Sequence, residues 1–254
     1  MTGIVRKRGA AILIIGDEIL SGRTQDTNTS YIARWLGQLG IPVREARVVA
    51  DDRDEIVATV RHLSARYDFV FSTGGIGPTH DDITADCMAA AFETGITHHP
   101  MVFAQLAARY ATMNGVEFNE ARQRMARIPF GAALIGNNLS GAPGFQIGNV
   151  FVMAGIPAVM RAMIEDVRGR LPTSMPLSSV TISGFVGEGA IAKPLSELQK
   201  KYADIPLGSY PFNRDGKFGT SLVARGVDEA VLAQVKQELS DLIRAAGAEP
   251  FELH

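Results

Sequence analysis

Between Phe69 and Thr84 the chain reads FVFSTGGIGPTHDDIT, and these residue types at this spacing are suited to holding phosphate. Gly74, Gly75 and Gly77 let main-chain N–H groups approach an anion closely, and a helix expected to begin near Asp82 or Ile83 adds a favourable dipole. Two adjacent carboxylates, Asp81 and Asp82, stand where that anion would arrive. Their repulsion is relieved if a hard divalent cation, Mg2+ or alternatively Mn2+ or Co2+, bridges carboxylate and phosphate oxygens. Against this stands a plain structural role in which one Asp caps the helix and the other is solvated.

The same chemistry recurs at two earlier points. Gly16-Asp17-Glu18 runs on through Ser21-Gly22 to Asp26-Thr27-Asn28, and Asp51-Asp52 follows Val49. Asp51, Asp81 and Asp82 form the candidate metal set, and Asp17, Asp51 and Asp82 the candidate catalytic carboxylates. Asp26 and Asn28 read as caps of the next helix, and Asp26 reads equally as the holder of a sugar hydroxyl. The candidate ligand-binding residues are Gly16, Ser21, Gly22, Asp26, Asn28, Thr73, Gly74, Gly75, Gly77, Pro78, Thr79, His80, Gly144, Gly155 and Pro157. His80 can contact phosphate or shuttle a proton. The other histidines lack zinc-ligand spacing, and neither a Walker loop nor a serine-nucleophile elbow is present.

These loops need a scaffold. Ala10–Ile15 is a continuous apolar run, the pattern of a strand buried on both faces. Apolar residues at helical spacing from Asn28 to Gly40 and from Asp51 to Arg66 alternate with extended segments at 43–49 and 69–71, which predicts a parallel sheet flanked by helices. Ligands bind such sheets beyond the carboxyl ends of the strands, so the three acidic loops should converge there. Further helices are expected over 83–92, 100–113, 120–128 and 157–171, and Gly148-Asn149 marks a hairpin between 145–147 and 150–153. After a linker-like Leu171–Pro176 stretch come strand, helix, two strands and a closing helix. The expectation is a three-layer α/β/α domain over 1–172 and a smaller α+β domain over 177–254.

Composition narrows the partners. At 254 residues with a formal charge of -2, the chain carries no global footprint for nucleic acid or an anionic membrane. Its longest early apolar run is too short to span a bilayer or serve as a secretion signal. One cysteine, Cys87, permits no intrachain disulfide, and a cytoplasmic protein is expected.

IIGDEILSG from Ile14, DTN from Asp26, VVADD from Val48, STGGIGPTHDDIT from Ser72, GAPGF from Gly141 and AGIP from Ala154 together resemble the MoaB/Mog-type molybdopterin-binding domain. The version most similar forms the N-terminal part of competence/damage-inducible protein A (CinA-like) and is also joined to eukaryotic FAD synthases. GEGAIAKPL and the GSYP at Gly208 resemble the small domain that follows it. The resemblance implies binding of a phosphorylated pterin or nucleotide at the glycine loop. In the pterin branch it implies Mg-dependent adenylyl transfer through the carboxylates matching Asp51 and Asp82. In the CinA-like branch it implies metal-dependent cleavage of the pyrophosphate bond of ADP-ribose or FAD-type dinucleotides. Asp81 stands where the pterin branch usually has Arg, which favours the dinucleotide branch. Ending at His254, the chain is expected to lack the deamidase activity of longer CinA-like proteins. Relatives imply a dimer or trimer.

Overall fold

The computed structural model describes residues 9–172 and 177–252. They fall in two compact units, one within 1–37 and 41–173, the other within 38–40 and 174–254. Residues 173–176 of the expected linker lie outside the described residues.

The larger unit opens with β1 (Ala10–Ile15), the short α1 (Asp17–Leu20), α2 (Asn28–Gln38), β2 (Val43–Val49), α3 (Arg53–Arg66) and β3 (Phe69–Thr73). It continues with α4 (Thr84–Ala91), β4 (Ile96–His98), α5 (Pro100–Ala111), α6 (Glu120–Gln123), β5 (Arg127–Pro129), β6 (Ala133–Ile135), β7 (Gly144–Ile147), β8 (Val150–Met153) and α7 (Pro157–Val167). Six strands form one sheet in the order β2-β1-β3-β8-β7-β6. β2, β1, β3 and β8 run parallel, while β7 and β6 add antiparallel strands.

Every residue of β1 is buried, as its unbroken apolar run requires of a strand covered on both faces. Ala11, Leu13 and Ile15 pack with Ile56, Val60 and Leu63 of α3 and Cys87 and Met88 of α4. On the opposite face Phe71 stacks on Phe151 and meets the edge of Trp35, whose indole N–H donates to Glu165 and ties α2 to α7. Burial pushes the Cys87 thiol up to about 11, so it packs as an apolar group and offers no nucleophile near neutral pH.

One expectation fails locally. The helix expected over 120–128 stops at Gln123, and residues 127–129 instead pair antiparallel with Ile96–His98, a strand hidden by its three-residue length. The helix expected to begin near Asp82 or Ile83 starts at Thr84, with Ile83 at its N-cap position and Asp82 held in the preceding turn.

The smaller unit consists of β9 (Ser178–Gly184), α8 (Glu188–Lys201), β10 (Leu207–Arg214), β11 (Lys217–Gly226) and α9 (Glu229–Ala245). Its antiparallel sheet has the order β10-β11-β9, with Ile182, Leu222 and Ala224 packed on Ile191, Leu198, Leu232, Val235, Leu239 and Ile243. No helix among the described residues is long and apolar enough to cross a membrane.

Candidate functional site

The loops after β1, β2, β3 and β8 open at the same end of the sheet, as the parallel order dictates. They surround a cavity of about 510 Å³. Its floor is the glycine loop. A Cβ on Gly74 would stand 2.0 Å from the Ile15 carbonyl oxygen, and one on Gly75 would stand 2.2 Å from Thr84 Oγ1. Both residues also have positive φ, 108° and 64°, so a side chain is excluded twice over. Thr84 fixes the loop from below: its amide donates to Gly75 O and its hydroxyl to Gly74 O. Among the described residues, the amides of Gly75, Ile76 and Gly77 donate to no protein acceptor. Three neighbouring N–H groups are thereby left for a ligand. Across the cavity, Gly155, Ile156 and Pro157 lead into α7, whose first turn adds free amides and the positive end of its dipole.

Carboxylates rim this main-chain floor. Glu18, Asp51, Asp81 and Asp82 all line the cavity; among the described residues no Lys or Arg does, although Arg124 and Arg127 line an adjoining hollow that shares Gly75, Ile76, Gly77 and Asp82. Asp82 accepts from the Thr79 amide at 2.8 Å and from the Thr79 hydroxyl, which points it at Gly77, where a Cβ would stand 2.6 Å from Asp82 Oδ2. Asp51 accepts from the Asp17 amide at 3.0 Å. Burial pushes the Asp51 carboxyl above its ordinary value; the Asp17 amide opposes this, and the charges of Asp17, Glu18 and Asp81 reinforce it. Among the described residues no three His, Cys, Asp or Glu side chains converge as a ready cage for a metal. The donor set nonetheless fits a hard cation that arrives with phosphate, since Mg2+ takes one or two carboxylates and completes its shell with phosphate oxygens and water.

Several residues expected at the site do other work. Asp17 is exposed and contributes its amide; its carboxylate is not part of the cavity wall. Ser21 and Gly22 close the turn after α1, with their amides donating to Asp17 O and Ile19 O. Asp26 caps α2, accepting from the Asn28 and Thr29 amides at 2.8 and 3.1 Å. Asn28 turns inward toward Gly155 and Thr73. Thr73 is buried in β3, Thr79 serves Asp82, and His80 is exposed outside the lining. Gly144 is needed for packing, because a Cβ there would lie 2.3 Å from Val152 O. Gly16 and Pro78 do line the cavity, together with Gly155 and Pro157. Of the arginines near these loops, Arg127 pairs with Asp86 at 2.6 Å.

Other contributors were not singled out from sequence. Glu18 folds over Gly16, where a Cβ would stand 2.5 Å from Glu18 Oε2. Asn137 shapes the far wall: its Oδ1 accepts from the Leu139 and Ser140 amides and its Nδ2 donates to Ala142 O at 2.8 Å. The Asn-Asn-Leu-Ser-Gly run carries the signal for such a turn. Met163 closes the α7 side, its sulfur accepting from the Ala154 amide.

Comparison with known proteins gives a consistent pattern. The family model described as "Probable molybdopterin binding domain" matches residues 11–173, and that of the FAD synthase middle domain matches residues 176–252. A protein of Saccharolobus islandicus is 34% identical over 250 residues, which cover 92% of this chain and 94% of the relative. A CinA-like protein of Gemmatimonas aurantiaca is 33% identical over 214 residues, 80% of this chain and 50% of that longer relative. The crystal structure of a CinA protein of unknown function from Thermoplasma acidophilum has 32% identity and a TM-score of 0.60, covering 65% of this chain and 98% of the other.

Proposed function

Since the chain belongs to the probable molybdopterin binding domain family and is CinA-like, we propose that its cavity binds a phosphorylated nucleotide or pterin. We further propose that it hydrolyses the phosphoanhydride of ADP-ribose or FAD-type dinucleotides with a divalent cation. One observation carries this reading: three unspent amides lie beneath a rim of carboxylates, while among the described residues the arginines beside this loop, Arg124 and Arg127, line the neighbouring hollow and not this wall. Amides alone attract an anion while the carboxylates repel it, so a phosphate enters such a cavity favourably when a cation accompanies it.

In this reading the Gly75, Ile76 and Gly77 amides grip non-bridging oxygens of one phosphate. Asp51 and Asp82 would hold the cation, and Asp81 and Glu18 would add negative field at its edge. A bound divalent ion neutralises charge on the phosphates and lowers the pKa of a coordinated water. Thr79 holds the Asp82 carboxylate facing the loop, and the Asp17 amide does the same for Asp51. In the hydrolysis a water oxygen would form the new bond to one phosphorus as the bridging oxygen leaves on the second phosphate with its electron pair, and the two protons of the water would pass to the product phosphates or to solvent. For ADP-ribose the products are AMP and ribose 5-phosphate.

The family match supports a second ligand, a molybdopterin, and for it we propose adenylyl transfer in place of hydrolysis. A thermal-shift screen of ADP-ribose, FAD, ATP and pterins, with and without Mg2+, Mn2+ and Co2+, separates the readings when followed by product analysis, because a ligand of the native state raises its melting point. Hydrolysis predicts metal-dependent AMP release. Adenylyl transfer predicts an adenylylated pterin with no net hydrolysis. Metal-independent binding without turnover would refute both chemistries and leave a binding module.

A further inference from the structure

Asn28 is 6% exposed and lies in the first turn of α2, outside the cavity wall. Its Nδ2 donates to Gly155 O at 2.8 Å and approaches Thr73 Oγ1 at 3.4 Å. These acceptors belong to different loops: Thr73 is the last residue before the glycine loop, and Gly155 lies in the loop that opens α7. Nothing else about Asn28 calls for an amide, because the helix start is already capped by Asp26. The amide cannot be turned around. Reversal would set Oδ1 against Gly155 O, acceptor against acceptor. In the orientation it must take, Oδ1 is buried with no hydrogen-bond partner. An apolar side chain of similar size would avoid the orphaned Oδ1 but would take away the donor that reaches Gly155 O. The residue therefore bears a cost that packing does not explain, and what it gains is a donor placed between two loops.

The two loops are also in close contact. A Cβ on Gly155 would lie 3.3 Å from Gly74 Cα, and the Gly74 amide donates to Met153 O at 3.1 Å. Those contacts stop the loops from closing further but only weakly resist sliding. The Asn28 donor, coming from a third element, supplies that restraint.

We infer that Asn28 is a positioning residue that sets the register between the glycine-loop amides and the α7 N-terminus, so that a ligand reaching both is bound in one pose. The strap itself rests on geometry alone; its effect on turnover rests on the dinucleotide hydrolase reading above. A ligand confined to one loop does not depend on the spacing, whereas a two-phosphate ligand does, because it gains from both loops only if they are preorganised together.

The test uses the full chain with Asn28→Ala and Asn28→Asp. Amide NMR spectra without ligand should show signals of residues 74–77, 154–156, 158 and 159 moving in both variants, while signals of the larger unit remote from both these loops and the start of α2 stay in place. With Mg2+ present, Asn28→Ala should bind inorganic phosphate within about twofold of wild type and ADP-ribose about tenfold more weakly, with kcat/KM falling in proportion. Asp matches Asn in size but has no N–H to donate. A packing role predicts that Asn28→Asp is mild and Asn28→Ala severe; a donor role predicts that both lose the dinucleotide. Should the Asp variant fail to fold by circular dichroism, the Ala variant decides alone, since it removes the donor without adding charge. Unmoved loop signals in Asn28→Ala, equal weakening of both ligands, or wild-type behaviour of a folded Asn28→Asp overturns the inference. If wild type binds neither ligand, the hydrolase reading fails while the loop signals still decide the role of Asn28.

Discussion

The two units treat their buried polar groups in opposite ways. In the smaller one they satisfy each other: Ser183 and Ser221 share a hydrogen bond at 2.8 Å, and Thr220 donates to Val186 O. Gln199 there uses both ends of its amide, donating to Tyr202 O and Ile205 O and accepting from the Leu207 amide. Among the described residues, the buried side-chain atoms lacking any partner are Asn28 Oδ1, Ser72 Oγ, His99 Nδ1 and Arg109 Nε, all in the larger unit. That unit also leaves loop amides unspent, crowds carboxylates around them and holds Gly74 and Gly75 at positive φ. Those four side-chain atoms lie outside the cavity wall, whereas the unspent amides of the glycine loop stand at the cavity itself, where a ligand can complete their pairing.

Substitutions should therefore act differently in the two places. The largest effect is expected from Asp82→Asn, which removes a cation-holding charge while keeping an oxygen for the Thr79 donors. Metal-dependent release of AMP should fall by roughly two to three orders of magnitude with the circular dichroism spectrum unchanged. Turnover close to wild type would sink the assignment of Asp82. Next comes Gly74→Ala, where a methyl group meets the Ile15 carbonyl; the strain should cost about 1–3 kcal/mol, read as a lower denaturation midpoint. In the smaller unit, Ser183→Ala strands the Ser221 hydroxyl and should cost about 1–3 kcal/mol without touching kcat, whereas the double change to Ala at 183 and 221 should recover part of that loss. A drop in kcat from Ser183→Ala would blur the contrast between the units.

The smallest effect has a reversed sign. Burial raises the Asp51 pKa above its unfolded value, so the native state holds that proton more tightly. The resulting stabilisation is full below the ordinary carboxylate value and is lost as pH rises through the raised one. At neutral pH the bare carboxylate is thus a liability. Asp51→Asn should melt above wild type near pH 7 in the absence of metal, the gap should narrow on acidification, and nucleotide with Mg2+ should invert the order. A variant less stable than wild type in the metal-free buffer would show that the Asp51 charge is compensated already.

Much of this contrast could be read from residue order. The apolar run of β1, the helical spacing in α2 and α3 and the Gly148-Asn149 turn report local preferences that the tertiary structure does not override. The strand at 127–129 could not be read in this way, because it exists only through its pairing with Ile96–His98, some thirty residues earlier. At the site, the glycines announced the floor, since their requirement is conformational and local. Which carboxylate faces the cavity was hidden, because Asp26 and Asp51 are the same residue type and differ only in what the fold brings to them. Asn28 shows the same limit: a helix-start Asn looks like a cap until a neighbouring Asp takes that task.

A floor built from peptide groups has a bearing on protein engineering. At Gly74 and Gly75 no side chain fits, and the amides beside them present the same N–H whatever residue is encoded, so codons there offer little variation in what the ligand meets. New specificities would have to be sought on the opposite wall, where Ser140 and Ala142 on one segment and Ile156 and Val159 on another present replaceable side chains. A randomised library placed on those two segments should yield altered ligand preference with foldable clones, whereas one placed on the glycine loop should yield mostly inactive ones.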